Sequence, residues 1–220
     1  MKKQQLEMTL SHLRRAPSPQ ISNEAYDLGS AAASDILFTA DELFRDIRGR
    51  RVLDLGCGSG ILAIGAALLE AEDVVGIDIN IESIKTAIRN ASDLGVTVDF
   101  VAGDIEAIRG LFDVVVMNPP FGTRRKGNDV IFLTKAMKVS RRVYSLHKSG
   151  ELNRSFLIKT IERLGGKVDA IFSMRINIPR TYEFHKKERY AVDVDLFRAV
   201  SESSTLLAER NAIGQEQGCL

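Results

Sequence analysis

The sequence has few cysteines, no long apolar run and almost no net charge. Its two cysteines, Cys57 and Cys219, are far apart, so they predict neither a disulfide framework nor a zinc site. No apolar stretch reaches the roughly 18–20 residues needed to cross a bilayer, and residues 1–15 contain no apolar signal core. We therefore expect no bound metal, no membrane association and a cytoplasmic location.

The charges are unevenly distributed, although the formal net charge is only +1. Residues 121–190 contain 17 lysines and arginines against 6 aspartates and glutamates. Such a basic stretch favours contact with a polyanion on one side of the protein. A solvated charged surface spread around the domain is the competing interpretation.

The middle of the chain alternates between strand-like and helix-like segments. The predicted strands are Arg51–Leu55, Asp73–Ile79, Val96–Ala102, Phe112–Met117, Arg142–Leu146, Lys167–Ile176 and Ala191–Ala199. The predicted helices cover residues 2–15, 30–45, 61–69, 81–94, 129–140 and 152–164. This alternation predicts an α/β fold with a parallel sheet covered by helices on both faces. The last two strands leave no room for a helix between them, so we expect an antiparallel pair at the sheet edge.

The pattern also predicts three parts of the chain. Residues 1–46 are expected to form an N-terminal helical extension that could cover a pocket. Residues 47–200 contain the alternating α/β domain, and residues 201–220 are polar and aperiodic, which predicts a flexible tail.

A glycine-rich loop joins the first strand of the alternating part to its first helix. Glycines at that point let the backbone approach a ligand where any Cβ would clash. The spacing is G-x-G-x-G rather than the G-x-G-x-x-G of dinucleotide binders. Asp54 would repel a pyrophosphate but suits a ligand with an ammonium group. The candidate cofactor contacts in and beside the loop are Asp54, Gly56, Cys57, Gly58, Gly60 and Ile61.

Two further carboxylates follow the next two strands. Asp78 lies where nucleoside binders of this kind place a carboxylate on the ribose hydroxyls. Asp104 can accept a hydrogen bond from an adenine amino group, with Ile105 packed on the ring and Ile79 as a further cofactor contact. These groups converge on the crevice where open α/β sheets bind ligands. An amino-acid nucleoside with a cationic sulfur fits them better than NAD does.

The stretch Asn118-Pro119-Pro120-Phe121 ends a buried, β-branched strand. Neither proline has an N–H group, so the strand cannot continue. The side-chain oxygen of Asn118 beside the carbonyl of Pro119 makes two neighbouring acceptors, which suit a planar amino group. Phe121 offers an aromatic face for a flat ring. Taken alone, the stretch is equally consistent with a proline-rich turn capped by asparagine.

These residues resemble the class I S-adenosylmethionine-dependent methyltransferases with an (N/D)PP(F/Y) motif, which methylate exocyclic or amide nitrogens. NPPFGTRRKGND, VYSLHKSG and TYEFHKK followed by VDVDLFR are similar to the methyltransferase-like family that makes N6-methyladenosine in small-subunit ribosomal RNA. The resemblance runs from about Glu24 to Arg198.

The resemblance implies a Rossmann-like sheet of seven strands in the order 3-2-1-4-5-7-6, with strand 7 antiparallel. It implies S-adenosylmethionine as cofactor, with Asn118 and Pro119 holding the adenine amino group and Phe121 stacked on the base; Pro120 completes the predicted catalytic motif. Some members of the family need a small zinc-containing activator protein that pairs along the sheet edge.

One element departs from the family. Its usual Glu-Gln-Tyr-x-Thr is replaced by Glu24-Ala25-Tyr26-Asp27-Leu28. Tyr26 matches and is a predicted cofactor contact, whereas Ala25 and Leu28 offer no polar side chain. A cofactor-binding RNA-binding or assembly factor with little catalysis is therefore an open alternative.

Other acceptors for the same chemistry are guanine N2 in ribosomal RNA and a protein glutamine. The basic stretch argues against the protein substrate, and the C-terminal motifs favour adenine. The predicted RNA contacts are Arg124, Arg125, Lys126, Lys148, Lys186 and Lys187. His147 and His185 are each followed by lysine rather than by a catalytic partner, so we weight them toward structural or RNA-contact roles.

Overall fold

The computed structural model describes residues 1–15, 28–120, 127–179 and 189–201. They form a seven-stranded sheet in the order β3-β2-β1-β4-β5-β7-β6. The strands are β1 (Arg51–Leu55), β2 (Asp73–Asp78), β3 (Asp99–Ala102), β4 (Phe112–Met117), β5 (Ser140–Lys148), β6 (Gly166–Pro179) and β7 (Arg189–Ser201). The first five strands pair in parallel, whereas β7 is antiparallel to both β5 and β6. The predicted strand order and the antiparallel strand are confirmed.

Helices cover both faces of this sheet. They are α1 (Lys3–Leu10), α2 (Ser30–Phe38), α3 (Ile61–Leu68), α4 (Ile81–Leu94), α5 (Asn128–Val139) and α6 (Glu151–Arg163). A π-helical turn (Thr39–Leu43) continues α2, and a 3₁₀ turn (Ile105–Ala107) follows β3. Across the described ranges, no helix has both the length and the apolar character of a membrane span.

Several predicted boundaries were wrong, two of them for an identifiable local reason. Strand β3 begins three residues later than predicted, because the N–H of Val96 bonds the carbonyl of Ala91 and completes the C-terminal cap of α4. The predicted fifth helix loses Ser140 to β5, since the Ser140 hydroxyl bonds the carbonyl of Arg142 instead of supporting a helical turn. The first helix ends at Leu10, and the α-helical part of the second ends at Phe38.

The hydrophobic core has two parts, one on each face of the sheet. Val114 and Val116 of β4 face the side covered by α1, α2 and α3, whereas Val115 and Met117 face α5 and α6. This alternation is the period-two pattern of a strand buried on both faces. Because β4 is buried on both faces, a ligand could reach this strand at its ends but not along its length.

The predicted N-terminal extension contributes to the first of these cores. Leu6 and Leu10 of α1 are buried, as is Leu37 of α2. A Cβ on Gly65 of α3 would clash with the Cδ1 of buried Leu37, so this glycine lets α2 lie close against α3. Helices α1 and α2 are therefore part of the domain's packing.

A buried polar cluster, which we call the Asp46 cluster, joins the segment before β1 to strands β5 and β7. Its members are Asp46, Arg142, Tyr144 and Arg198. The Tyr144 hydroxyl donates to Asp46 Oδ2 at 2.8 Å, and the Arg198 guanidinium donates to the same oxygen at 2.7 Å. Arg142 lies 3.0 Å from the other oxygen of Asp46. The guanidinium of Arg198 also lies over the Phe44 ring, 4.2 Å from its centroid.

Asp46→Ala should lower the free energy of unfolding by about 3–5 kcal/mol, because Arg142, Tyr144 and Arg198 lose a shared buried acceptor. Arg175→Ala is the matched control: its ion pair with Asp193 is exposed, so we expect a cost of about 0–1 kcal/mol. Urea unfolding of both variants measures the difference. Equal unfolding midpoints for wild type and Asp46→Ala would contradict this role of the cluster.

Candidate cofactor and acceptor site

The glycine loop is held against the end of β2 by backbone hydrogen bonds. The amides of Gly56 and Cys57 donate to the carbonyl of Ile77 at 2.8 and 2.9 Å. The Gly60 amide donates to the carbonyl of Cys57, and Ile61 then begins α3. The loop therefore turns from the end of β1 directly into a helix, which is the geometry the sequence predicts for a ligand cradle.

The three loop glycines are required for different reasons. Gly56, Gly58 and Gly60 have φ angles of +73°, +53° and +86°, which L side chains rarely adopt. A Cβ on Gly56 would lie 2.9 Å from the Phe132 ring, and one on Gly60 would lie 2.9 Å from the Phe100 ring. At Gly58 no atom lies within 4 Å of such a Cβ, so this glycine faces open space. Of these three glycines, Gly58 is therefore the one with room beside it for a ligand.

Asp54 is 1% exposed and accepts a hydrogen bond from the Ala63 amide at 3.0 Å. Burial raises the pKa of this carboxyl to about 7, and the negative charge of Asp78 adds to the rise, while the Ala63 bond opposes it. A nearby ligand cation would stabilise the ionised form. The preference of Asp54 for an ammonium group stays a prediction.

Asp78 has a second role that the sequence did not reveal. Its Oδ2 accepts from the Gly58 amide at 2.9 Å, and its Oδ1 accepts from the Asn80 amide at 2.8 Å. The carboxylate therefore fixes the glycine loop, and each oxygen keeps a further lone pair for a ribose hydroxyl. Asn80 in turn caps α4 through the amides of Glu82 and Ser83.

The two isoleucines predicted beside the adenine differ in exposure. Ile79 is 67% exposed, whereas Ile105 is 8% exposed and packs in the core on the α5 side. Ile79 therefore presents far more apolar surface to a ring. Asp104 is exposed, and its Oδ1 accepts from the Glu106 amide at 2.9 Å. The Gly103 amide bonds the carbonyl of Asp78, which joins this turn to the ribose side of the site.

Lys135 is a supporting residue that the sequence did not single out. It lies on α5 with 5% of its surface exposed, and its Nζ donates to the carbonyl of Glu106 at 3.1 Å. It thereby holds the turn that carries Asp104. A lysine within an apolar helix gives no sign of this contact, which depends on how α5 packs against the 3₁₀ turn.

The acceptor motif begins beside the glycine loop. Met117 ends β4 and lies opposite Leu55 of β1, so Asn118 and Gly56 follow neighbouring strand ends. Pro119 is buried, while Asn118 and Pro120 are half-buried. The predicted acceptor and cofactor groups therefore lie at the same end of the sheet, where the parallel strands have their carboxyl ends.

Cys57 and His147 are both unsuited to acid–base or nucleophilic work. Burial raises the pKa of the Cys57 thiol, and the charges of Asp54 and Asp78 raise it further. His147 is 3% exposed, its Nε2 lies 2.6 Å from the Ser145 hydroxyl, and burial lowers its pKa to about 4. A neutral, enclosed imidazole agrees with the predicted structural role.

Lys148 is the predicted RNA contact that the structure describes. It is exposed at the C-terminal end of β5, at the same end of the sheet as the acceptor motif. The other predicted site residues lie outside the described ranges: Tyr26, Phe121, Arg124, Arg125, Lys126, Lys186 and Lys187, together with His185.

Comparison with known proteins identifies the family. Residues 21–158, more than half of the chain, match the model described as the methyltransferase small domain. The chain belongs to this methyltransferase family. Its resemblance to the class I S-adenosylmethionine-dependent methyltransferases is confirmed, and S-adenosylmethionine is its cofactor.

Several relatives of this methyltransferase match it over nearly their whole length. An uncharacterized protein from Methanocaldococcus jannaschii is 40% identical and covers 90% of this chain and 94% of its own. The rRNA N(6)-adenosine-methyltransferase METTL5 of Danio rerio is 36% identical, covering 90% of this chain and 98% of its own. A crystal structure of a candidate RNA methyltransferase from Pyrococcus horikoshii superimposes with a TM-score of 0.85 at 34% identity, covering 91% of this chain and 98% of that one.

The raised pKa of Asp54 predicts how cofactor binding depends on pH. The ligand ammonium favours the ionised carboxylate, so affinity for S-adenosylhomocysteine should rise as pH increases toward about 7 and level off above it. Asp54→Asn cannot titrate, so this dependence should disappear. Calorimetric titrations between about pH 5.5 and 7.5, where the ammonium stays protonated, measure it.

The same shift has the opposite effect on the stability of the unliganded protein. The folded state holds the Asp54 proton more tightly than the unfolded chain, in which the pKa is near 3.8. The contribution of Asp54 to stability is therefore present below about pH 4 and is lost as pH rises to about 7. The difference in unfolding free energy between wild type and Asp54→Asn isolates this effect. A difference that does not change over that interval would contradict the raised pKa.

Proposed function

We propose that this protein transfers a methyl group to N6 of an adenosine in RNA, with small-subunit ribosomal RNA as the substrate. The observation that carries the proposal is the position of Asn118 and Pro119 at the end of β4, beside the glycine loop. The rRNA N6-adenosine methyltransferases of the zebrafish, fruit fly and nematode, each at least 34% identical to this chain, support the choice of acceptor.

Positioning supplies most of the catalysis in this proposal. The cofactor provides an electrophilic methyl group on a cationic sulfur. The N6 amino group of adenine is a poor nucleophile, because its lone pair is delocalised into the ring. The Asn118 side-chain oxygen and the Pro119 carbonyl accept its two N–H bonds, which favours a pyramidal nitrogen with the lone pair directed away from those acceptors. N6 would become cationic as it gains the methyl group and would then release one proton to water, so no strong base is needed, in agreement with the neutral, buried His147.

The RNA is expected to cross the end of the sheet at which β4 and β5 have their carboxyl ends. Exposed Lys148 lies there, and the predicted contacts Arg124 and Arg125 follow the acceptor motif closely in sequence. Contacts to phosphate position the backbone, while the pocket selects the base. The target adenosine has to leave any base stack to reach such a pocket.

The small zinc-containing activator belongs to the same proposal. Within the described residues, β6 pairs with β7 along one side and is the last strand of the sheet on that edge. An unpaired strand edge accepts another strand through backbone hydrogen bonds. We place the activator along β6, and the cytoplasmic location predicted from the sequence also forms part of this proposal.

Asn118→Ala should abolish methyl transfer while leaving cofactor affinity nearly intact, because Asn118 is assigned to the acceptor nitrogen. Asn118→Asp keeps its acceptor oxygens and should retain partial activity. Tritium transfer from labelled cofactor to isolated small-subunit ribosomal RNA measures turnover, and calorimetry measures cofactor affinity.

The outcomes of this experiment separate the alternatives. Parallel loss of binding and turnover in Asn118→Ala would make the residue a structural cap. Label transferred by the wild type to a glutamine peptide but not to RNA would overturn the proposal that adenosine is the acceptor. Wild-type protein that binds cofactor and ribosomal RNA but transfers no label would favour the assembly factor.

The salt dependence of RNA binding tests the proposed edge. Replacing Arg124, Arg125 and Lys148 by alanine should flatten the plot of log K against log salt by about 2, since each contact to single-stranded RNA contributes about 0.7. The matched control replaces three exposed residues at the opposite end of the sheet, Lys138 in the last turn of α5, Arg141 in β5 and Lys167 in β6. An equal change of slope in the two triple variants would contradict a localised RNA edge.

A further inference from the structure

Asn90 makes three hydrogen bonds that join two distant parts of the chain. It lies on α4 and is 1% exposed. Its Oδ1 accepts from the Arg14 amide at 2.9 Å, and its Nδ2 donates to the Arg14 carbonyl at 3.0 Å. The same Nδ2 donates to the Ser59 carbonyl at 3.0 Å. One side chain thus contacts both the N-terminal segment, residues 1–15, and the glycine loop.

We propose that Asn90 is a positioning residue that couples the N-terminal segment to the cofactor loop, so that this segment helps to set cofactor affinity. The proposal concerns the cofactor site alone. It therefore holds whether or not adenosine in RNA is the acceptor.

The conformation of the loop around the Ser59 carbonyl depends on contacts from outside the loop. Ser59 lies between Gly58 and Gly60, both of which have positive φ angles. Glycine permits this conformation but permits others as well. Contacts from outside the loop must therefore select it. Asp78 fixes one side of Ser59 through the Gly58 amide, and Asn90 fixes Ser59 itself.

The amide group is specifically suited to this position. Both Nδ2 protons are used, one on Arg14 and one on Ser59, while Oδ1 accepts the Arg14 amide. An aspartate would keep the acceptor but lose both donors, and an alanine would lose all three bonds. Because Asn90 is buried, water cannot readily replace the missing partners.

The N-terminal segment also contacts the helix that follows the loop. A Cβ on Gly65 of α3 would lie 3.4 Å from Leu10 Cδ1, which places α1 against α3. Detaching the segment would therefore loosen both the loop and the helix that begins at its end. Reciprocity of binding free energies then requires that cofactor binding strengthen attachment of the segment.

Asn90→Ala should weaken binding of S-adenosylhomocysteine about tenfold, as expected for buried hydrogen bonds that are lost without replacement. Asp93→Asn is the matched control. Its ion pair with Arg14, at 3.0 Å, also joins the segment to α4, but it is half-exposed and does not reach the loop. We expect its affinity to stay within about twofold of the wild type.

A second control separates positioning from general destabilisation. Leu157→Ala removes a buried side chain of α6 on the opposite face of the sheet, so it should lower the melting temperature without changing cofactor affinity. All affinities are measured by calorimetry at a temperature at which each variant is fully folded. Asn90→Asp should bind as weakly as Asn90→Ala, since both donors are lost. Wild-type affinity in folded Asn90→Ala would overturn the proposal.

Hydrogen exchange provides a second test, and its deciding measurement is made on the wild-type protein. Saturating S-adenosylhomocysteine should slow exchange of the Arg14 amide, which donates to Asn90. The same amide in Asn90→Ala should not respond to the ligand. Unchanged exchange of this amide in the ligand-bound wild type would exclude the coupling.

Discussion

The glycine loop depends on its surroundings for its shape. Three glycines with positive φ angles bring the backbone close to a ligand, but they supply no side chains to fix that conformation. The constraint comes from neighbours: the carbonyl of Ile77, the carboxylate of Asp78 and the amide of Asn90. These groups come from β2 and α4, so the cofactor site depends on the correct packing of elements far along the chain.

The two carboxyl groups at the ends of β1 and β2 make the site favour one charge of ligand over the other. Asp54 and Asp78 place two carboxyl groups near each other at the ends of β1 and β2, and burial raises the pKa of Asp54 to about 7. Without a cation, the site is therefore less favourable for two negative charges. A ligand with an ammonium group would relieve this repulsion, whereas a pyrophosphate would increase it. The same feature thus favours one class of nucleotide-like ligand and disfavours another.

The sequence predicts where the candidate site residues lie in the fold better than it predicts the contacts that support them. Asp78, Asp104 and Asn118 were located from their positions after β-branched strands, and the sheet order followed from the family resemblance. The hydrogen bond from Gly58 to Asp78 links residues that are twenty positions apart, and no local pattern predicts such a bond. Asn90 and Lys135 were missed because a polar residue in a helix resembles an ordinary solvent-facing one until the packing is known.

The position of β7 has a consequence for the order in which the sheet can be assembled. This strand follows β6 in the chain, yet it lies between β5 and β6. During synthesis, β6 therefore emerges before the strand that connects it to the rest of the sheet, and β5 keeps an open edge until Arg189–Ser201 has been made. Completion of the sheet must wait for its last strand to insert between two earlier ones, which exposes edges to non-native pairing in the meantime.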